Sequence, residues 1–207
     1  MKTITNNRTL KMVQLGLFTS IIVLMAFTPI GYIKTLGLEI ALIAVPVAVG
    51  AIVMGPVSGA ILGGVFGITS FIQCFGLSPF GVALLAINPV GTFIVTIIPR
   101  ILMGWITGLI FVALRKNEKT KSISYAVASI ASPLLNTIFF MGALVLFFYN
   151  TEYIQGIAEG LGTNNVFAFI IALVGGNILV EAVACLILGT ATSKAIDIFY
   201  RKSRIDR

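Results

Sequence analysis

Arg100 and Glu181 are the ionisable side chains set deep inside long hydrophobic stretches of this chain. A charge at the bilayer centre costs at least ~2.5–3.5 kcal/mol on insertion scales, so such residues face a bundle interior or a polar cavity. Asn88, Thr92, Thr96 and Arg100 recur at steps of four, which stacks them along one helical face. Asn177 and Glu181 share a second face after Gly175-Gly176, and Asn136 stands beside Ser132 and Pro133. At ~1.5 Å rise per residue, Arg100 lies about 15 Å below the start of its helix, level with Asn136 and Asn177, and Glu181 lies about one turn deeper. Pro99 has no N–H, which frees a carbonyl one turn earlier and favours a kink.

These residue types suit recognition better than catalysis. One reading is an Arg100–Glu181 ion pair with asparagine hydrogen bonds that only joins helices. The other is a polar pocket, in which Arg100 grips an anionic or carbonyl group and Asn88, Thr92, Thr96, Asn136 and Asn177 exchange hydrogen bonds. Glu181 then orients Arg100 or takes a hydroxyl or amine. The pocket is favoured, because an interhelical hydrogen bond in a membrane contributes only ~0.6 kcal/mol on average and a buried ion pair is a poor source of stability. Gln73, with Phe71, Phe75 and Phe80, is placed to wall such a pocket, although aromatic residues there also serve as interfacial anchors. No nucleophile–base pair, carboxylate dyad or metal cluster is visible, which disfavours an enzyme. The chain contains no histidine, so a Cys/His metal site is excluded and no cofactor is expected. Cys74 and Cys185 lie in separate segments and are expected as free core residues.

The elements that position these residues are membrane helices. Of 207 residues, 58% are hydrophobic and 10% charged, with a mean hydropathy of +1.07, too apolar for a soluble surface. The expected fold is an all-α integral membrane bundle of six transmembrane helices in a single domain, 1–207. The spans run over 12–30, 38–54, 57–74, 90–114, 123–148 and 167–196, each near the ~20 residues that cross a bilayer. The stretch from Leu15 to Ile30 lacks a small-residue cleavage site and is expected as a retained span. Residues 75–89 are too short to cross and are expected as a partly buried or re-entrant loop.

Lys2, Arg8 and Lys11, then Arg115, Lys116, Lys119 and Lys121, then Lys194, Arg201, Lys202, Arg204 and Arg207 fall on one side. That is twelve of the fourteen basic residues, with Lys34 opposite and Arg100 inside. The positive-inside rule then makes both termini cytoplasmic. The net charge of +7 thereby becomes a topology signal, and nucleic acid is not an expected partner. Segments 31–37, 75–89 and 149–166 fall outside as candidate lids. The last carries Glu152, Tyr153, Glu159, Gly160, Gly162, Asn164 and Asn165, a composition that turns readily.

Gly59, Gly63 and Gly67 recur every four residues, and Gly104 and Gly108 repeat the spacing. Such faces let helix backbones approach closely and read as internal packing ahead of a contact with a partner subunit. Gly16 and Ser20 form a weaker small-xxx-small pair, which taken alone also reads as packing.

The stretch Gly55-Pro56-Val57-Ser58-Gly59-Ala60-Ile61-Leu62-Gly63-Gly64, the apolar loop ending in Asn88-Pro89, and the following Pro99-Arg100 to Gly104 block together resemble the substrate-binding S component of an energy-coupling-factor vitamin transporter. The resemblance covers essentially the whole chain. It implies high-affinity capture of a small water-soluble vitamin from outside the cell, by a subunit of the prokaryotic plasma membrane that has no ATPase of its own. The implied partners are a membrane coupling subunit and two cytoplasmic ATPases, and transport proceeds by toppling of the loaded subunit. The family docks on its coupling subunit through small residues of the first helix, typically Ala-x-x-x-Ala; Gly16 and Ser20 hold those positions with small size but depart from alanine. The ligand is implied in the outer half of the last three helices, where the polar residues above fall. An arginine with amides suits an acidic, hydroxylated small molecule, pantothenate ahead of pyridoxine-type vitamins or riboflavin. The competing reading is a self-sufficient secondary transporter or channel with Arg100 and Glu181 in an ion or proton path. No internal repeat supports it.

Overall fold

The computed structural model describes residues 7–29, 31–33, 40–116, 120, 123–163 and 165–205; Lys34 and Asn164 lie outside them. The fold is helical: α1 (Asn7–Ala26), α2 (Ala44–Met54), α3 (Pro56–Gln73), α4 (Pro79–Ile87), α5 (Pro89–Arg115), α6 (Ser124–Phe148), α7 (Glu152–Gly160), α8 (Val166–Ala184) and α9 (Thr190–Ile205). A five-residue π-helical segment, Cys185–Gly189, joins α8 to α9 without a break. Among the described residues five helical stretches are long and apolar enough to cross a membrane, the last running over Val166–Phe199.

The second expected span differs. Residues 40–41 pair with 32–33 as a two-residue antiparallel ribbon, β2 (Ile40–Ala41) with β1 (Tyr32–Ile33), in the register Tyr32↔Ala41. Helix α2 therefore begins only at Ala44 and has 11 residues, or roughly 16 Å of rise. Nearly all of α2 is buried, so its hydrophobicity reflects enclosure by other helices as much as contact with lipid. The loops expected at 75–89 and 149–166 also carry helices, α4 and α7. Each is started by a capping side chain, Ser78 and Thr151, that accepts an otherwise unbonded N–H of the first turn.

Two large apolar clusters and a smaller one of Ile52, Phe111, Tyr125 and Ala128 hold the bundle. One gathers Ile22, Ile43, Val47, Leu62, Phe66 and Met103 from α1, the α2 region, α3 and α5. The other gathers Leu84, Val95, Met141, Leu144, Phe148, Ile154 and Phe169 from α4 to α8, and so anchors both short helices. Between them α3 and α5 touch along their glycines. A Cβ on Gly59 would meet the carbonyl of Gly104, one on Gly63 the carbonyl of Arg100, and one on Gly108 the backbone of Pro56. The internal packing expected for these glycines is what the fold shows. For Gly16 and Ser20 it is not. Both are exposed, nothing surrounds Gly16, and the Ser20 hydroxyl only donates back to the Gly16 carbonyl at 3.0 Å.

Candidate functional site

A cavity of about 300 Å³ opens at the end of the bundle where α3 meets α4, a volume at the lower bound for small-molecule sites. Gln73, Thr96, Arg100, Asn136, Asn177 and Glu181 all line it, joined by Tyr32, Ser70, Phe80, Leu84, Phe140 and Val174. Helices far apart in sequence thus deliver the expected polar layer to one place.

Local chemistry fixes the arginine. Pro99 lies inside α5, so the carbonyl of Val95, four residues before it, receives no helical N–H. The Arg100 Nη1 donates to that carbonyl at 2.7 Å. Its guanidinium sits 4.7 Å from the Phe140 ring centroid and 5.5 Å from that of Phe66, within range of the attraction of a cation to an aromatic face. The buried Arg100 Nε makes no hydrogen bond to the protein, and neither does the buried Oδ1 of Asn136. One donor and one acceptor thus remain for something in the cavity.

The Arg100–Glu181 ion pair of the competing, purely structural reading is absent. Among the described residues the only ion pair is Arg115–Asp197 at 3.0 Å, at the opposite end of the bundle. Glu181 makes no hydrogen bond to Arg100. Its Oε1 accepts the Ala41 N–H of β2 at 2.7 Å, which ties the last span to the ribbon. That bond engages the carboxylate without consuming the guanidinium.

Asn88 and Thr92 do not line the cavity. Asn88 caps α5, its Oδ1 accepting the Gly91 N–H at 2.9 Å, and Pro89 follows as the first helical residue; asparagine before proline is a sequence signature of that job. Thr92 is fully buried and donates to the Asn88 carbonyl at 2.9 Å. Thr96 reaches the cavity, although its hydroxyl donates to the Thr92 carbonyl at 2.8 Å. The side chain of Gln73 reaches it as well, while its Nε2 donates to the Ala26 carbonyl and fastens the end of α1 to α3. Of the expected aromatic wall, Phe80 takes part; Phe71 packs edge-on with Phe75 and Phe93, and Phe75 is exposed.

The sequence reading missed Tyr32, Ser70 and Phe140. The Tyr32 hydroxyl and Ser70 Oγ lie 3.2 Å apart, a contact across elements that no local pattern announces. Phe140 was detectable, being one helical turn beyond Asn136 on the same face. Cys74 and Cys185 are both free and buried, as expected. Among the described residues no group of His, Cys, Asp or Glu side chains could hold a metal ion.

The arrangement can accommodate a small polar ligand: one cation half-engaged by its own helix, one carboxylate engaged elsewhere, amides, and an apolar wall. The family model described as "ECF transporter, substrate-specific component" matches residues 10–190. The chain is also 27% identical over 199 residues, 93% of its length and 94% of the other's, to a protein of Leuconostoc mesenteroides subsp. mesenteroides named pantothenate transporter PanT.

Proposed function

The chain belongs to the substrate-specific components of ECF transporters, multi-pass proteins of the prokaryotic cell membrane, and from that premise we propose that it is the pantothenate-binding subunit of such a transporter. The observation that carries this reading is the Arg100 guanidinium, fixed by Val95 at the wall of a cavity that Asn136 also lines, with the Arg100 Nε and the Asn136 Oδ1 left without protein partners. Pantothenate has a carboxylate for Arg100, an amide and hydroxyls for Asn136, Asn177 and Glu181, and a gem-dimethyl group for Phe80, Phe140, Leu84 and Val174. Glu181 repels a carboxylate, so the ligand lies with its acid end at Arg100 and its hydroxyl end at Glu181. Gln73 and Thr96 complete the lining. The name of the Leuconostoc relative supports the same substrate.

In this reading α2 and its ribbon make a sixth crossing, both termini are cytoplasmic, and the cavity opens outward. The ribbon, α4 and α7 stand around the mouth as lids. Exposed Gly16 and Ser20 form the face that meets a membrane coupling subunit, which two cytoplasmic ATPases drive. The purified chain should bind pantothenate alone by isothermal titration and native mass spectrometry, and vesicle uptake should need ATP and the added partners. Uptake by the chain alone under an ion gradient would overturn the reading in favour of a secondary transporter, and failure to bind pantothenate would overturn the substrate. Trp105 does not line the cavity and is half-exposed on the far side of α5, so its fluorescence is a poor reporter.

A further inference from the structure

Arg100 is a cation without a counterion. Among the described residues no carboxylate pairs with it, and Glu181 is engaged by the Ala41 N–H. What surrounds the guanidinium instead is aromatic. Its Cζ lies 4.7 Å from the ring centroid of Phe140 and 5.5 Å from that of Phe66, within reach of the attraction between a cation and a ring face. The two rings are not equivalent. Phe66 is fully buried on α3, in the cluster that joins α1, α3 and α5. Phe140 is only partly buried, lines the cavity, and follows Asn136 by one helical turn on α6. It packs on the apolar cluster that contains Val95, the residue whose carbonyl accepts the Arg100 Nη1 at 2.7 Å. The long side chain of Arg100 runs back toward the start of α5, as helical side chains do, and meets the carbonyl and the ring there.

The nitrogens of Arg100 differ in what is left to them. Nη1 is bonded to Val95, and Nε is enclosed without a partner. Among the described residues Nη2 has neither a hydrogen bond nor full enclosure, so it is the donor that a molecule in the cavity meets. Keeping Nη2 in that direction requires the guanidinium plane to be held, and one hydrogen bond fixes a point rather than a plane. A ring beside the planar guanidinium supplies the second constraint. The chemistry of that constraint matters too. A carboxylate in place of the ring would hold Arg100 as firmly, but it would cancel the charge to which an acidic ligand is drawn. A ring holds the cation and leaves its charge available.

We propose that Phe140 is a positioning residue for acid recognition: with the Val95 carbonyl it holds the Arg100 guanidinium with Nη2 toward the cavity, and so sets the affinity for the acidic end of the ligand. Under the proposed uptake function the same ring also touches the gem-dimethyl group, and the two roles give different losses when the ring is removed. This role rests on the pantothenate reading for its ligand; the hold on Arg100 does not.

Calorimetry of the full chain in detergent separates them with two ligands: pantothenate, and the alcohol in which a hydroxymethyl group replaces its carboxylate. Phe140→Leu should weaken pantothenate about tenfold, the scale of a desolvated cation–ring contact, and the alcohol by no more than about twofold. An equal loss for both ligands is the signature of an apolar wall alone and overturns the proposal, as does unaltered pantothenate affinity. A second measurement needs no ligand. In nitrogen NMR spectra of the arginine-labelled chain, a guanidinium held in place shows separate Nη signals, whereas a rotating one averages them. Arg100, identified by the signals lost in Arg100→Lys, should show separate Nη signals in the wild type and averaged ones in Phe140→Leu. Signals that stay separate in Phe140→Leu, or that are already averaged in the wild type, overturn the proposal. Should Phe140→Leu not fold, a trifluorinated phenylalanine at position 140 keeps the shape of the ring, removes its negative face and is read in the same way. If the wild-type chain binds neither ligand, the pantothenate reading falls and the nitrogen spectra alone decide the role of Phe140.

Discussion

Helix α5 meets α3, and α6 meets the last span, in opposite ways. The first interface is made of glycines that put backbone against backbone, with no room for a methyl group. The second carries hydroxyls that find no partner in the protein and a helix turn of altered pitch. Close packing that leaves no void resists change, whereas unmet polar groups mark a boundary whose contacts are incomplete. The difference teaches where rigidity is located. Arg100 belongs to both regimes: its carbonyl lies in the glycine interface against Gly63 and its guanidinium faces the cavity. A clamped backbone delivers a cavity-lining side chain to a fixed position.

Breaking the cavity end of that arrangement should have the largest effect. Arg100→Ala should weaken pantothenate binding by about 3 kcal/mol, roughly 100-fold in Kd, through loss of a desolvated charge-assisted contact. Calorimetry checks this, and a thermal melt near wild type shows that the fold survives; unaltered affinity would return Arg100 to a structural role. Gly63→Ala comes next. Its methyl group meets the Arg100 carbonyl, and forcing the helices apart should cost about 1–3 kcal/mol of stability while also lowering affinity, because Arg100 moves. Wild-type affinity in a destabilised Gly63→Ala protein would show that the clamp and the site are uncoupled.

Smaller effects sharpen the contrast. Ser129→Ala should leave stability unchanged or raise it by up to ~1 kcal/mol, because it removes a buried hydroxyl that has no partner, and a shift of the denaturation midpoint checks this. Gly16→Ala should leave stability unchanged or raise it by up to ~1 kcal/mol, as alanine is the better helix former and nothing surrounds Gly16. The same substitution thus has opposite signs at positions 63 and 16, and melting curves of the pair show it.

Much of this was readable from residue types. Charges and amides inside apolar segments have few tolerable destinations, so the meeting of Arg100, Asn136, Asn177 and Glu181 in one cavity followed from the cost of placing them elsewhere. Glycines every four residues admitted close approach, and α3 and α5 use it. What spacing could not reveal was competition for hydrogen bonds. Asn88 and Thr92 share a face with Arg100, yet the otherwise unbonded Gly91 N–H claims the Asn88 side chain and the Asn88 carbonyl accepts the Thr92 hydroxyl at the start of α5. Glu181 met the same kind of rival, because the Ala41 N–H reaches it from a ribbon with no periodic signature. The α2 start was misplaced because Ile40 and Ala41 are as apolar in the ribbon as they would be in a helix. The π-helical turn escaped notice for a related reason: Glu181, Cys185 and Ser193 look out of phase only when every turn is given the same pitch.

The bond between Arg100 and the Val95 carbonyl makes Pro99 and Arg100 a single inherited unit. Proline without the arginine strands a carbonyl in the bundle; arginine without the proline loses its tether and must be immobilised at the moment of binding. In divergent descendants of this chain the two positions should therefore change together, and a Pro-Arg dipeptide in the corresponding helix should predict anion capture better than the arginine does by itself.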